Sequence, residues 1–380
     1  MHPKRLFTPG PTEVPAEVRE SMARPLVHHR TEEYREIQRQ VTENLQWLLK
    51  TRNPVFILAS SGTGAMEAAV ANLTRPGEKV LVPVLGKFSH RWKEIGDAFG
   101  LDVVTIETEW GDATKPEIVE AAFDANPGIS VLFTPHSETS TGVLQDVKSM
   151  ARIAHERGAL IVVDGITSVG AEEIETDAWG LDVVIGGAQK GVMIPPGLAY
   201  LSVSEAAREK MERGRHPVYY FDLNRALKSY EIGDTPWTPP IVHVLGLHKA
   251  LEMIRSEGRE NVISRHASNA RATRAAVEAL GLRVLASTPA SCATAVVFDD
   301  GNAERVRGYL NDTFGIRVAG GQARLKGKII RLGHLGYYFE ADILMLISAL
   351  ESTLFDLGLI DAPGKGTEAA LMEFHRARRR

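Results

Sequence analysis

Between residues 54 and 203 the chain alternates short apolar runs with stretches of helical periodicity. The apolar runs fall at 54–59, 79–84, 102–106, 130–134, 159–164, 182–185 and 198–203. Several are apolar at nearly every position, which is how strands covered on both faces read. Helical patterns lie between them at 64–73, 115–125 and 147–157. The last of these closes on His155-Glu156-Arg157-Gly158, with basic residues in the final turn and glycine just beyond, as helix stops do. Repeated strand–helix–strand units predict an α/β fold, a mostly parallel sheet with right-handed crossovers sandwiched by helices.

The pattern changes after Tyr219. Asp234-Thr235-Pro236-Trp237-Thr238-Pro239-Pro240 cannot be regular structure, because its prolines remove donors and restrict their neighbours. Two long helices are expected beyond it, at 241–256 and 260–280. Strands near 294–298 and 328–332 then mix with helices near 303–313 and 340–357, which predicts a smaller α+β unit. The division expected is an N-terminal segment 1–14, a large domain 15–255 and a small C-terminal domain 256–380. A length of 380 residues agrees, being more than one hydrophobic core usually serves.

A net charge of -4 argues against a general nucleic-acid or anionic-membrane binder, which needs a basic face. The closing Arg376-Ala377-Arg378-Arg379-Arg380 reads as a charged, solvated tail. Cys292 is the only cysteine, so neither an intramolecular disulfide nor a thiolate metal cluster can form. The first ten residues hold no apolar stretch long enough for a signal peptide, and apolar runs such as 80–85 are far short of a membrane span. A cytoplasmic enzyme is expected.

Two apolar runs end in chemistry. The run 159–164 closes on Asp164, and ligands of open α/β sheets bind outside the carboxyl ends of strands. Alone, Asp164 is equally an N-cap or turn aspartate. The run 182–185 leads into Gly186-Gly187-Ala188-Gln189-Lys190-Gly191, which places a lysine at the same edge. Alone, Lys190 reads as a solvated loop lysine. A lysine becomes a nucleophile when its amine is desolvated or lies near other cations. Together the pair suits pyridoxal phosphate, whose aldehyde needs an amine and whose ring nitrogen needs a carboxylate. Ser61-Gly62-Thr63, between an apolar run and a helix, could seat a phosphate on free amides at the helix start, or serve only as an N-cap.

With these residues in view, the chain resembles the class V aminotransferases of pyridoxal-phosphate fold-type I, in the alanine/serine–glyoxylate (serine–pyruvate) branch. The matching motifs run in order from one end to the other: Thr8-Pro9-Gly10-Pro11-Thr12, Ser61-Gly62-Thr63, Ser137-Glu138-Thr139-Ser140-Thr141-Gly142, Val163-Asp164, Gln189-Lys190 and 328–336, Lys-Ile-Ile-Arg-Leu-Gly-His-Leu-Gly. The resemblance implies that Lys190 holds the cofactor as a Schiff base and that Asp164 partners its ring nitrogen. Phe88 stands where an aromatic, often tryptophan, stacks on the ring. Thr139 matches a residue near the phenolic oxygen and Gln189 one near the phosphate; Ser61, Gly62, Thr63 and Ile166 complete the cofactor's surroundings. Thr238 matches a threonine lent to the phosphate by the neighbouring subunit, so a homodimer is implied. Thr235 stands where some relatives carry a tyrosine. Arg331 matches the arginine for the substrate α-carboxylate. His28, His29 and Arg30 lie in a segment that reaches toward the active site, for hydrogen bonding or packing rather than a metal.

The implied reaction is a ping-pong transamination through a Lys190 aldimine. It would move an amino group from a small amino acid, serine or alanine, to glyoxylate or pyruvate. Aspartate, ureidoglycine and an aminophosphonate stay open as donors, although no second arginine can be assigned to a distal carboxylate. Another class V chemistry, a cysteine desulfurase or a lyase, is the nearest rival. Desulfuration needs a mobile thiol, whereas Cys292 precedes the apolar run 295–298 and reads as packed. A non-catalytic binding subunit of the same fold is the more distant one.

Overall fold

The computed structural model describes residues 4–213, 215–299 and 301–379. Seven strands form the main sheet in the order Val55–Leu58, Ala199–Val203, Val183–Gly187, Leu160–Asp164, Val131–Pro135, Lys79–Val84 and Asp102–Glu107. They match the seven apolar runs to within about two residues. Val131–Pro135, Val183–Gly187 and Ala199–Val203 are buried along their whole length, so solvent reaches neither face there.

The sheet is parallel except for Ala199–Val203, which runs antiparallel to both neighbours. Chain length explains the reversal. Only residues 188–198 separate it from Val183–Gly187, and they contain no helix. Such a link is too short for a crossover, so the strand returns antiparallel. That same link carries Lys190.

A second sheet of four antiparallel strands runs Arg283–Val284, Ala293–Val297, Ile329–Gly333, Ala319–Gly320. It shares a core with the helices Arg259–Ala279, Ala303–Phe314, Glu340–Asp356 and Lys365–Ala377. The N-terminal segment joins this core. Arg5–Leu6 pairs in parallel with Ile316–Arg317, and the ring of Phe7 stacks on Tyr338 at 5.0 Å.

The chain end corrects one expectation. Arg376 and Ala377 are not part of a solvated tail but finish the helix Lys365–Ala377, whose Ala370 and Phe374 are buried. Arg376 pairs with Glu373 and Arg378 with Glu340. The apolar positions upstream of the arginines outweigh their charge. Arg380 lies outside the described residues. Among the described residues no helix is long and apolar enough to cross a membrane.

Candidate active site

The strand end and the loop meet as their positions in sequence suggested. In the sheet Asp164 stands opposite Ile185, so its side chain emerges beside the strand that leads into Lys190. The 188–198 loop is pinned at several points: Ala188 N donates to Leu198 O, Met193 N to Lys190 O, and Ile194 N to Ala188 O. Met193 is buried and holds a left-handed backbone, φ 58, a strained conformation for a non-glycine that the surrounding packing imposes.

The N-terminal segment closes over the lysine. Thr12 N donates to Gln189 O at 3.2 Å, and Thr12 Oγ1 to Lys190 O at 3.2 Å. Lys190 Nζ donates to Pro9 O at 2.7 Å. Gly10 has φ 144, and a Cβ on it would fall 2.3 Å from Lys190 Nζ. The backbone favours glycine there, and a Cβ would displace the lysine's amine end from its place.

Electrostatics adjust both central groups. Burial, and then the nearby charge of Arg331, push the Lys190 amine down from 10.5 to about 8. Burial raises the Asp164 carboxyl from 3.8 to about 6. A hydrogen bond from Ile166 N to Oδ1, 2.9 Å, works against that rise, and the charge of Glu138 adds to it. Arg331 is buried as well, which lowers its guanidinium to about 10. Its fork is aimed by two backbone carbonyls: Nε donates to Gly320 O at 3.1 Å and Nη1 to Thr139 O at 3.0 Å. Among the described residues no hydrogen bond uses Nη2.

Around this centre stand the remaining expected residues. Ser61 precedes the helix Gly62–Leu73, and no hydrogen bond among the described residues occupies the amides of Gly62 and Thr63. Ile166 packs over that turn; a Cβ on Gly62 would lie 2.3 Å from its Cδ1. Thr139 Oγ1 and Thr167 Oγ1 share a hydrogen bond of 2.6 Å. Gln189 ends in a buried Oε1 that has no partner. Phe88 opens the helix Lys87–Ala98, with the Arg91 guanidinium 5.1 Å from its ring centre.

The family model for "Aminotransferase class-V" matches residues 6–337. The chain belongs to the class-V aminotransferase family. It is 44% identical to the "Soluble hydrogenase, small subunit" of a Synechococcus strain, covering 96% of this chain and 97% of that one. It is 36% identical to the L-aspartate–glyoxylate aminotransferase of Paracoccus denitrificans, over 96% and 94% of the two chains. Among solved structures, ureidoglycine–glyoxylate aminotransferase from Bacillus subtilis superposes with a TM-score of 0.93 at 30% identity, over 99% of each chain. The fold is that of the pyridoxal-phosphate fold-type I aminotransferases, as the resemblance implied.

Within this class-V aminotransferase, two groups of residues behave differently from the central set. Thr238 is exposed on the proline-rich loop, beside Tyr220, Phe221 and Trp237. The Thr235 hydroxyl donates to Trp237 O at 2.8 Å and is committed locally. Arg30 pairs with Asp234 at 2.5 Å and also donates to Thr235 O. His28 accepts from Arg30 N, and its ring stacks on His29 at 4.8 Å. Arg30 therefore braces the loop that carries Thr238, while His28 holds the Arg30 backbone and His29 stacks on His28.

Cys292 is buried, with Sγ 3.2 Å from Thr167 O and 3.7 Å from Glu172 Oε1. Burial, and then the Glu172 charge, push the thiol up well above its ordinary range, so it is not a ready nucleophile. Sequence reasoning missed Arg91, whose Nη1 donates to Thr63 Oγ1 at 3.0 Å. It also gave Glu138 no role, although that side chain is fully buried inside the site. The one signal for Arg91 was its place three residues after Phe88, on one helix face.

Proposed function

We propose that this protein is an amino acid–glyoxylate aminotransferase that binds pyridoxal phosphate at Lys190 and takes a small amino acid, serine or alanine, as donor. One observation carries the reading: a lysine lowered to about 8 and a buried carboxylate share one crevice at adjacent strand ends, with a guanidinium aimed by two carbonyls beside them. Both relatives named above as aminotransferases have glyoxylate in their names, which supports glyoxylate as the acceptor ahead of pyruvate.

The residues fit the cofactor. The unused amides of Gly62 and Thr63 stand at a helix start, where the dipole favours a phosphate. The Gln189 amide ends in an unpartnered atom, and rotating that amide by half a turn would present its NH2 to a phosphate oxygen. Phe88 offers a ring face, and Asp164 keeps Oδ2 for a protonated ring nitrogen once Ile166 N has taken Oδ1. When bound, pyridoxal phosphate supplies the electron sink that makes the Cα–H of an attached amino acid acidic.

The chain's own groups do the rest. Arg331 grips the substrate α-carboxylate, and its fixed fork orients the Cα–H bond. Lys190 Nζ, held near Pro9 O, takes the Cα proton and later returns one; its pKa of about 8 is close to working pH, as a proton carrier's should be. Pro9, Gly10 and Thr12 form the wall that keeps water from the lysine.

The exposed rings of Tyr219 and Tyr220, stacked about the half-buried Trp237 on the same loop region, support a homodimer in which Thr238 serves the partner's phosphate site. The separate core around the four-stranded sheet supports a small domain over 256–380, joined to 15–255. We place the enzyme in the cytoplasm. The hydrogenase name of one relative stays with that protein; in this chain a single buried thiol cannot supply a thiolate metal cluster. The test is an assay of the purified protein with pyridoxal phosphate and glyoxylate against serine, alanine, aspartate, ureidoglycine and an aminophosphonate. Glycine formation with serine or alanine is expected. Absence of glycine with every donor would overturn the reading.

A further inference from the structure

Glu138 is a fully buried carboxylate, yet among the described residues no lysine or arginine pairs with it. Its oxygens are occupied by donors of another kind. Phe88 N donates to them at 3.1 and 3.3 Å, and Ser89 N at 2.7 Å. Ser140 adds its backbone N at 3.1 Å and its Oγ at 2.6 Å. Ser140 Oγ in turn accepts from Lys87 N at 2.9 Å. The first three amides of the helix Lys87–Ala98 are thus held, directly or through one hydroxyl, by a side chain some fifty residues away in sequence.

The fit is close. A Cβ on Gly86 would fall 2.3 Å from Glu138 Cδ, so the loop before the helix must be glycine for the carboxylate to reach the amides. The helix start also favours an anion through its dipole, which offsets the cost of burying an unpaired charge. What this helix carries gives the contact its significance. Phe88 is its second residue, and Arg91, one turn on, links to Thr63 on the phosphate-seating turn. Thr139, next to Glu138, gives its carbonyl to Arg331.

From this geometry we infer that Glu138 is a positioning residue: by capping the helix Lys87–Ala98 it fixes the ring of Phe88 against the cofactor. The inference rests on the reading that pyridoxal phosphate occupies the Lys190 crevice. Glutamine at 138 keeps one acceptor oxygen but turns an NH2 toward helix amides, which are themselves donors.

The experiment is a double-mutant cycle on the apoprotein. Pyridoxal phosphate affinity is measured by absorbance and circular dichroism titration for native, E138Q, F88A and the double variant. Thermal unfolding of each apoprotein is followed alongside. E138Q is expected to weaken binding about tenfold, one charge-assisted hydrogen bond's worth, and to change the cofactor's circular dichroism band. In the F88A background the same substitution is expected to weaken binding less than about twofold, because the ring it positions is gone. Equal losses in both backgrounds, or an unchanged affinity in folded E138Q, would overturn the inference. S140A, which removes one donor and leaves the carboxylate, runs through the same cycle should E138Q fail to fold, and is read by the same criterion. A native protein that does not bind the cofactor would sink the proposed function instead.

Discussion

Charges in the cleft and charges on the helix Glu32–Leu49 are handled in opposite ways. On the helix, Arg39 bridges Glu36 at 2.6 Å and Glu43 at 2.5 Å, with all three side chains about half exposed. In the cleft, Lys190, Asp164 and Arg331 are buried, and among the described residues none of them is in an ion pair. Their partners are backbone groups: Pro9 O, Ile166 N, Gly320 O and Thr139 O. Surface charges meet charges at little cost because water already solvates them. Buried charges left without countercharges cost stability, and persist where a charged ligand is to complete them. The difference separates side chains serving solubility and helix formation from those to which the proposed function gives the chemistry.

The largest effect expected is that of Lys190→Met. Steady-state turnover should fall at least about a thousandfold, the upper part of what a positioned proton carrier supplies. Stability should move the other way. Between about pH 8 and 10.5 the unfolded chain keeps a proton on this amine that the folded chain has released, so native apoprotein stability climbs as pH rises through that window. Below pH 8 the folded state bears the full penalty of the buried ammonium, on the order of 3 kcal/mol for a shift of this size. The Met variant should lack the climb and unfold at a higher temperature at neutral pH. An unchanged turnover would remove the lysine from the chemistry.

Asp164→Asn tests the opposite charge. The native carboxyl titrates near 6 in the folded protein and near 3.8 when unfolded, so the folded state binds the extra proton between those values. Apoprotein stability should therefore fall as pH rises from about 4 to 6, and stay lower above it. The Asn variant escapes that fall, and its advantage should reach on the order of 3 kcal/mol at pH 7 and vanish near pH 4. Urea unfolding of both apoproteins across this range reads the difference. With cofactor the order should invert, the variant binding it more weakly.

Arg331→Lys comes third. A lysine keeps the charge but loses the planar fork and the two carbonyl contacts that aim it. kcat/KM for carboxylate donors should drop by tens of fold, roughly 2 kcal/mol, mostly through KM. A drop confined to kcat would argue that the guanidinium acts on the reacting bond and not on binding.

The fold was legible where burial decided it. All seven strands of the main sheet were readable because each holds a dense apolar stretch, and Asp164 and Lys190 stood out because polar groups follow such stretches. The direction of Ala199–Val203 was not legible, since an apolar run carries no arrow. The helix Glu32–Leu49 was overlooked although Thr31 caps it and Tyr34, Val41, Leu45 and Leu48 mark one buried face. Glu138 and Arg91 were illegible for a different reason. The partners of Glu138 are amides of Phe88 and Ser89, which any sequence has, and Arg91 meets Thr63 only after folding. The closeness of Gly10 to Lys190 spans half the chain and leaves no local mark. Thr238 is legible only by resemblance, because on the proposed reading its target belongs to a second subunit.

The smallest effect expected belongs to Arg39→Ala, and it bears on the comparison as much as the largest. Its two ion pairs join residues three and four apart on a solvated helix face, where salt screens them and rotamer freedom is lost in forming them. Alanine has the better helix propensity, leaves no cavity, and lets Glu36 keep its bond from Gln40. The melting temperature should shift by no more than about a degree, and high salt should erase even that. Turnover should not change. A loss from Arg39→Ala as large as the gain from Asp164→Asn would mean that surface pairs hold this protein together as firmly as unpaired charges strain its cleft, and the contrast between the two regions would lose its meaning.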